Sequence, residues 1–293
     1  MKNIMLFFLL GLGACSAKND LVKPEFPIIG MDGNGYLKNE VRPAASKPCF
    51  QGAYYRKIVS STDVWAGIKA EVTLPKIEFD PARINPNKPK QSLDNPSVYL
   101  GGNMGGQETD IGLTWEVIRD EKGNITEDRR AFRPFLRRSA HSSGQVPLYQ
   151  NAPAEANYYW YPGEKITMTL EIAGPGKLKF SIQGAGKKYE SIFESAGYTL
   201  GALGEFKRVN AIDQVANEGK PVQLTNTKVL ESTWSYTSLF RYEAGQLSEV
   251  PMHSGRMTQM ECPESKYFKI QQDPTTLKKG GETVSISGGG FTQ

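Results

Sequence analysis

Residues 97–118 carry the clearest alternation of apolar and polar positions in the chain. Residues 98–100 predict a short apolar strand, residues 101–106 a glycine-rich bend, and residues 108–118 a second strand. Thr109, Ile111, Leu113, Trp115 and Val117 share one face of that strand; Asp110, Gly112, Thr114 and Glu116 share the other. A period of two puts one face in a core and the other in solvent or a cleft. Gly112 leaves room for something to approach the backbone on the acidic face.

The same period recurs on both sides of this ribbon. Residues 50–59 predict a first strand near an edge. Val64, Ala66, Ile68, Ala70, Val72 and Leu74 then point one way until Pro75 interrupts. Residues 80–96 are rich in Pro, Asn and Lys and read as a loop, a lid or rim, and residues 120–124 as a turn. Pro134 confines residues 131–138 to an edge or a bulge. Residues 140–156 form another polar loop. Ile166, Met168, Leu170 and Ile172 alternate inward, as do Leu178, Phe180 and Ile182, around a Gly174-Pro175-Gly176-Lys177 turn. That pairing predicts a hairpin. Residues 206–212, 225–236 and 246–260 supply further strands, and 189–194 fit a strand or a short helix equally. Many strands with Gly and Pro turns, no long helix and no internal repeat predict an all-β fold of two packed antiparallel sheets.

The N-terminus changes the picture of where this domain sits. Lys2, an apolar run over residues 4–12 and the small residues that follow describe a secretory signal, too short for the ~20 residues of a membrane span. Leu12-Gly13-Ala14-Cys15 resembles the bacterial lipobox, which implies cleavage after residue 14 and acylation of Cys15. Two or three acyl chains anchor a protein stably. The expected organisation is a lipoprotein signal peptide (1–14), a flexible tether (15–47), a β-sandwich domain (48–263) and a polar C-terminal tail (264–293). The partner implied is a membrane, reached through Cys15; the location implied is the bacterial cell envelope, with Ser16 resembling outer-membrane sorting. Removing the signal leaves Cys49 and Cys262, an even pair that predicts a disulfide in an oxidising compartment. Closing so long a loop contributes about 5 kcal/mol in the chain-entropy model.

Composition excludes more than it assigns. The 293 residues carry a formal net charge of +4, with arginines gathered at 129, 130, 133, 137 and 138. These read as a charged edge that blocks strand pairing, with contact to an anionic polysaccharide or lipid headgroups as the alternative. No aromatic–basic motif points to nucleic acid. Of the two histidines, His141 sits in a Ser-rich loop and His253 stands apart; there is no GxSxG elbow, no HExxH and no paired-cysteine motif. No metal and no cofactor is expected.

The motif order resembles the concanavalin A-like jelly roll. The pieces are Trp65-Ala66-Gly67, Val72-Thr73-Leu74-Pro75, Val98-Tyr99-Leu100-Gly101-Gly102, Asp110-Ile111-Gly112-Leu113, Tyr158-Tyr159-Trp160-Tyr161-Pro162 and Gly163-Glu164-Lys165-Ile166. Their order is also similar to that of the eqolisins, secreted glutamic peptidases on this fold. Eqolisins need a glutamine just before the strand glycine, whereas here Asp110 stands two before Gly112 and Gln107 falls on the bend. Their catalytic glutamate strand has its nearest counterpart in Leu230-Glu231-Ser232-Thr233-Trp234, a poor match. These departures disfavour a glutamic peptidase. Glucanases of the same fold carry acid-x-acid-x-acid on one strand; Glu108-Thr109-Asp110 matches two of the three.

Glu108, Asp110 and Glu116 are the candidate site acids, next-but-one side chains lying roughly 7 Å apart, within range of acid–base work on a glycosidic bond. Tyr158 and Trp160 are candidate stacking surfaces for sugar faces. Arg208 is a candidate ligand contact or a buried partner of Asp213. Trp65, Trp115 and Trp234 are expected in the core. The leading expectation is an exported, lipid-anchored sandwich that binds a glycan or another extracytoplasmic ligand on its concave sheet. The alternatives are a hydrolase that uses Glu108 and Asp110 as a carboxylate pair, and an interaction lipoprotein with no small-molecule site.

Overall fold

A computed structural model describes residues 35–87, 91–117 and 130–291. Cys15 and the signal, the 120–124 turn and Arg129 lie outside the described residues. The strands are, in chain order, β1 (Ala53–Ser60), β2 (Trp65–Thr73), β3 (Lys76–Glu78), β4 (Asp94–Met104), β5 (Gln107–Val117), β6 (Arg130–Arg138), β7 (Leu148–Asn151), β8 (Lys165–Gly174), β9 (Lys177–Gly184), β10 (Lys187–Glu194), β11 (Gly204–Gln214), β12 (Lys228–Glu243), β13 (Gln246–Pro251), β14 (Met257–Cys262), β15 (Phe268–Gln271) and β16 (Glu282–Ser287). The single α-helix among them, α1 (Pro274–Lys278), is one turn long.

Two antiparallel sheets form a sandwich. One is seven-stranded, in the order β14-β1-β11-β4-β5-β6-β7. The other is nine-stranded, running β10-β9-β8-β2-β12-β16-β15, with β3 and β13 also paired to β12. The apolar half of each alternating strand meets between them: Ile111 and Leu113 from one sheet, Ile68, Val72, Met168, Leu170, Phe180 and Ile182 from the other. Trp65 and Trp234 are fully buried there, and Trp115 packs against the same core.

The β4–β5 ribbon keeps the expected register. Thr109, Ile111 and Leu113 are sealed, and Asp110, Gly112 and Thr114 face away from the second sheet. The bend is shorter than expected. Only Gly105 and Gly106 turn, both at positive φ (57° and 77°), and Gly101–Met104 continues the strand. Two consecutive residues at φ > 0 match the twist of a tight hairpin, and glycine adopts them without strain.

Three expectations are corrected. The 264–293 segment is no loose tail. It supplies β15, α1 and β16, and β16 lies second from the sheet's end, between β12 and β15, with Val284 and Ile286 fully buried. Part of the 15–47 tether is docked. Leu37 enters the core, Glu40 pairs with buried Arg256 at 2.6 Å, and the Val41 amide donates to Asp63 at 2.9 Å. Residues 189–194 belong to strand β10, paired along its length with β9. Strand β1 lies near an edge, as expected, second in its sheet with β14 outside it. Strand β6 is not the edge expected for residues 131–138: β7 pairs with Phe135–Arg138, the Ala152 amide donates to Pro134 O at 2.9 Å, and the proline, which has no N–H to offer, sits just past that ladder.

Candidate functional site: a charged cleft on the outer face of the seven-stranded sheet

Alternation on β11 sets the site. Lys207, Val209, Ala211 and Asp213 face outward, while Phe206, Arg208, Asn210 and Ile212 face the second sheet. Across β4, β5 and β6 the same outward rows bring Asn95, Ser97, Tyr99, Asp110, Thr114, Phe135 and Arg137 together on the floor of a cleft of about 980 Å³. Its walls are residues 48–52 and the turn 214–220. The walls are joined to each other: the Gln214 amide donates to Gly52 O and the Gly219 amide to Gln51 O, both at 3.2 Å. The Cys49–Cys262 disulfide, with Cα atoms 5.8 Å apart, ties the first wall to β14. Phe50 stacks on Tyr55, centroids 4.0 Å apart, over a small apolar cluster that includes Tyr99, Val209 and Met260. The cleft rim is therefore made by 48–52 and 214–220, and among the described residues the 80–96 loop expected there contributes only Asn95, which already belongs to β4.

The floor carries a chain of ion pairs. Lys207 Nζ lies 2.5 Å from Glu108 Oε1 and 2.7 Å from Asp110 Oδ1. Arg137 Nη1 donates to Asp110 Oδ2 at 2.6 Å and Nη2 to Glu218 at 3.0 Å, joining floor to wall. Glycines make this crossing feasible. A side chain at Gly101 would meet Thr109 O at 2.0 Å and Lys207 Cε at 3.1 Å, so its absence lets Lys207 pass over β4 to the acids of β5. The space above Gly112 is taken by Tyr99 of the neighbouring strand, whose Cα and Cβ a methyl there would meet at 2.5 Å.

The acids of the cleft differ in charge state. Burial pushes the Asp110 carboxyl up, but Lys207 and Arg137 outweigh it and hold Asp110 below its usual range. Asp213 has no cation in contact. Burial raises its pKa to about 6, the hydrogen bond from Ser97 Oγ (2.6 Å) opposes this, and the charge of Asp110 adds to it. The cleft thus holds one firmly ionised carboxylate and one that titrates near neutrality.

The candidates from the sequence divide. Glu108 and Asp110 line the cleft. Glu116 shares their face but lies beyond the cleft lining, paired with Arg133 at 2.6 Å and accepting from Asn151. Trp160 is corrected: it is fully buried, its Nε1 donating to Gly184 O at 3.2 Å. Tyr158 is corrected too: it packs half-buried against Tyr189, centroids 5.3 Å apart, and does not line the cleft. The segment does not alternate as a strand. Residues Ala156–Tyr158 form a 3-10 turn, and Trp160 makes only a single bridge to Phe132. Arg208 is also corrected. It lies between the sheets, bonded to Thr237 and Gly280 O at 3.0 Å and paired with Glu282. Asp213 is an odd number of residues away on the same strand and faces the cleft, so the two cannot pair.

Lys57, Lys207, Arg137, Tyr149 and Asp213 are cleft residues that sequence reasoning did not select. Period two, applied to residues 206–214, carries the signal for Lys207 and Asp213. Tyr149 is the exposed aromatic, stacked on Phe135 with centroids 5.8 Å apart. Of the positions considered for the eqolisin resemblance, Asp110 is in the cleft and Gln107 and Glu231 are not. The Gln107 side chain is buried, bonded to Gln145, Ser139 O and the Gly197 amide. Glu231 lies on a bulge of β12 in the other sheet at φ 61°. Among the described residues no group of acids, histidines and cysteines could hold a metal ion.

No protein-family model matches the chain, and no curated protein matches it. Solved structures do. Scytalido-glutamic peptidase with a transition state analog inhibitor is 12% identical with a TM-score of 0.47, over 80% of this chain and 98% of that one. SCP-B, a member of the eqolisin family, is 9% identical with a TM-score of 0.42 over the same shares. The alginate lyase from Klebsiella pneumoniae is 9% identical with a TM-score of 0.37, over 64% of this chain and 60% of that one. Likeness at this level says nothing of activity. The fold assignment rests on the strand order and pairing above: an all-β, two-sheet antiparallel sandwich of the jelly-roll kind.

Proposed function

We propose that this protein is an exported, lipid-anchored β-sandwich that binds a glycan in the cleft of its seven-stranded sheet. Cys15 carries the anchor and the bacterial cell envelope is its place. One observation carries the binding reading: a cleft of about 980 Å³ whose floor combines aromatic rings with fixed charged groups. Rings offer area to the apolar faces of sugars at low entropic cost, and pre-paired charges offer oriented donors and acceptors to hydroxyls. Asp110 and Arg137 supply the polar grip and Tyr149 and Phe50 the stacking surface. A glycan array tests this. Wild type binds at least one class, and Asp110→Ala and Tyr149→Ala bind it weakly; equal binding by both variants removes the site assignment. Metabolic labelling with a tagged fatty acid, lost in Cys15→Ser, tests the anchor.

A second reading has its own support. Asp213, raised to about 6, shares the cleft with Asp110, which stays ionised. Two carboxylates with pKa values pushed apart are the pattern of an acid–base pair. On this reading Asp213 donates a proton to a leaving group and Asp110 acts as the ionised partner, a role the sequence suggested for Glu108 and Asp110. Turnover of a polysaccharide then declines as pH rises through about 6 and is absent in Asp213→Asn. Unaltered turnover in that variant removes the pair.

A further inference from the structure

The charged groups inside the cleft pair off, with two exceptions: Asp213, held by Ser97 Oγ, and Lys57. Lys207 is matched by Glu108 and Asp110, and Arg137 by Asp110 and Glu218. Lys220 stands on the exposed rim, where water serves it. Lys57 is different. It lines the cleft from β1, on the outward row that runs through Val209 and Tyr99 to Gly112. It has no carboxylate and no hydrogen-bond partner among the described residues. The nearby acids are already engaged, Glu108 by Lys207 and Glu205 by Lys47. What Lys57 does have is an aromatic shelf. Its ammonium lies 5.9 Å from the ring centres of both Phe50 and Tyr55. Those rings are stacked at 4°, and Phe50 is 43% exposed at the cleft wall.

Burial draws the Lys57 pKa down and the positive charge of Lys207 draws it further, while Glu108 and Glu205, each already in contact with another lysine, oppose them. A half-buried cation with a like-charged neighbour and no carboxylate in contact can still take a negative charge at contact distance. An incoming anion would meet it at once, and the cation–π contact with the shelf keeps the ammonium beside the ring a sugar would lie on. We propose that the cleft takes acidic glycans, a uronate carboxylate pairing with Lys57 while its ring lies on Phe50. This names the ligand class of the site above and rests on the glycan reading.

Matched probes separate the two ideas. Titration calorimetry with an oligogalacturonate, its methyl ester and a neutral cello-oligosaccharide varies charge on a similar frame. Wild type should bind the free acid at least about tenfold more tightly than the ester, the range of a charge-assisted contact. K57M should abolish that preference, K57R should keep it, and F50A should weaken acid and ester alike. Raised salt should weaken the acid and spare the ester, which needs no variant to fold. If wild type binds ester or neutral sugar as tightly as acid, or if K57M keeps the preference, the Lys57 assignment fails and the glycan reading stands. If no sugar of either kind binds, including the case where only an acidic peptide does, both fail.

Discussion

Lys207 and Arg208 are chain neighbours on β11 that anchor two charge clusters on opposite faces of one sheet. Arg208 looks inward. With Arg56 it shares Glu282: Arg56 Nη2 lies 2.7 Å from Glu282, Gln272 adds a bond at 2.8 Å, and Trp234 lies under the Arg208 guanidinium at 4.7 Å. Burial pushes the Arg208 pKa down to about 10, Glu282 opposing, and the glutamate itself is held below its usual range by the two arginines against its own burial. Lys207 looks outward to the cleft, where one carboxylate titrates near neutrality and one lysine has no counter-ion. The first cluster is closed among its own members and serves the fold. The second is left incomplete on the side a ligand can reach, and that incompleteness is what marks a site.

Breaking the inner cluster should cost most. Glu282→Ala removes the carboxylate that two buried guanidiniums share, leaving Arg56 with Glu261 and Gln259 and Arg208 with only neutral oxygens, and urea titration should show a loss of about 3–5 kcal/mol; a loss under about 1 kcal/mol would mean that the inner cluster is not a structural centre. Its pH dependence has a definite sign. A carboxylate depressed in the folded state contributes stability above its unfolded pKa, and that contribution drains away as pH falls through the lower folded value. Lys207→Met should cost less, about 2 kcal/mol by the same assay, because Asp110 keeps Arg137 and Glu108 is solvated; parity with Glu282→Ala would erase the contrast. Asp213 runs the other way. Its folded pKa of about 6 is above the unfolded value, so its contribution is present below about pH 4 and is lost as pH rises towards 6. Stability curves at several pH values should show a decline on the order of 1–2 kcal/mol that Asp213→Asn removes. Smallest is Tyr149→Ala, half-exposed on the cleft floor: thermal melts should move by about 0.5 kcal/mol or less while glycan binding weakens.

Where two faces of a strand see different surroundings, the sequence was readable. The β8–β9 hairpin and the β4–β5 ribbon alternate without a break, and both lie as their pattern predicts. Asp110 was legible as a cleft acid for that reason. Trp160 was not, because a one-residue bridge leaves no periodic trace and an aromatic run looks alike inside or out. Residues 278–293 misled through composition. Glycine and lysine flank a short Glu-Thr-Val-Ser-Ile-Ser run whose buried members include serines, so mean polarity hid a buried strand paired on both sides. Lys57 and Tyr149 reach the cleft only through strand order, and no local pattern reports which strands become neighbours.

The position of β16 has a consequence for how the polypeptide gets to its final form. Its ladder partners and its two arginines all come earlier in the chain, and it must slot between β12 and β15 after they exist. A nascent fragment ending near residue 270 would hold a pair of guanidiniums facing each other across an unfilled gap, and would gain little by closing. Assembly is then a keystone process, completed in one late step, and clipping the chain just ahead of Gly281 should dismantle distant strands as thoroughly as local ones.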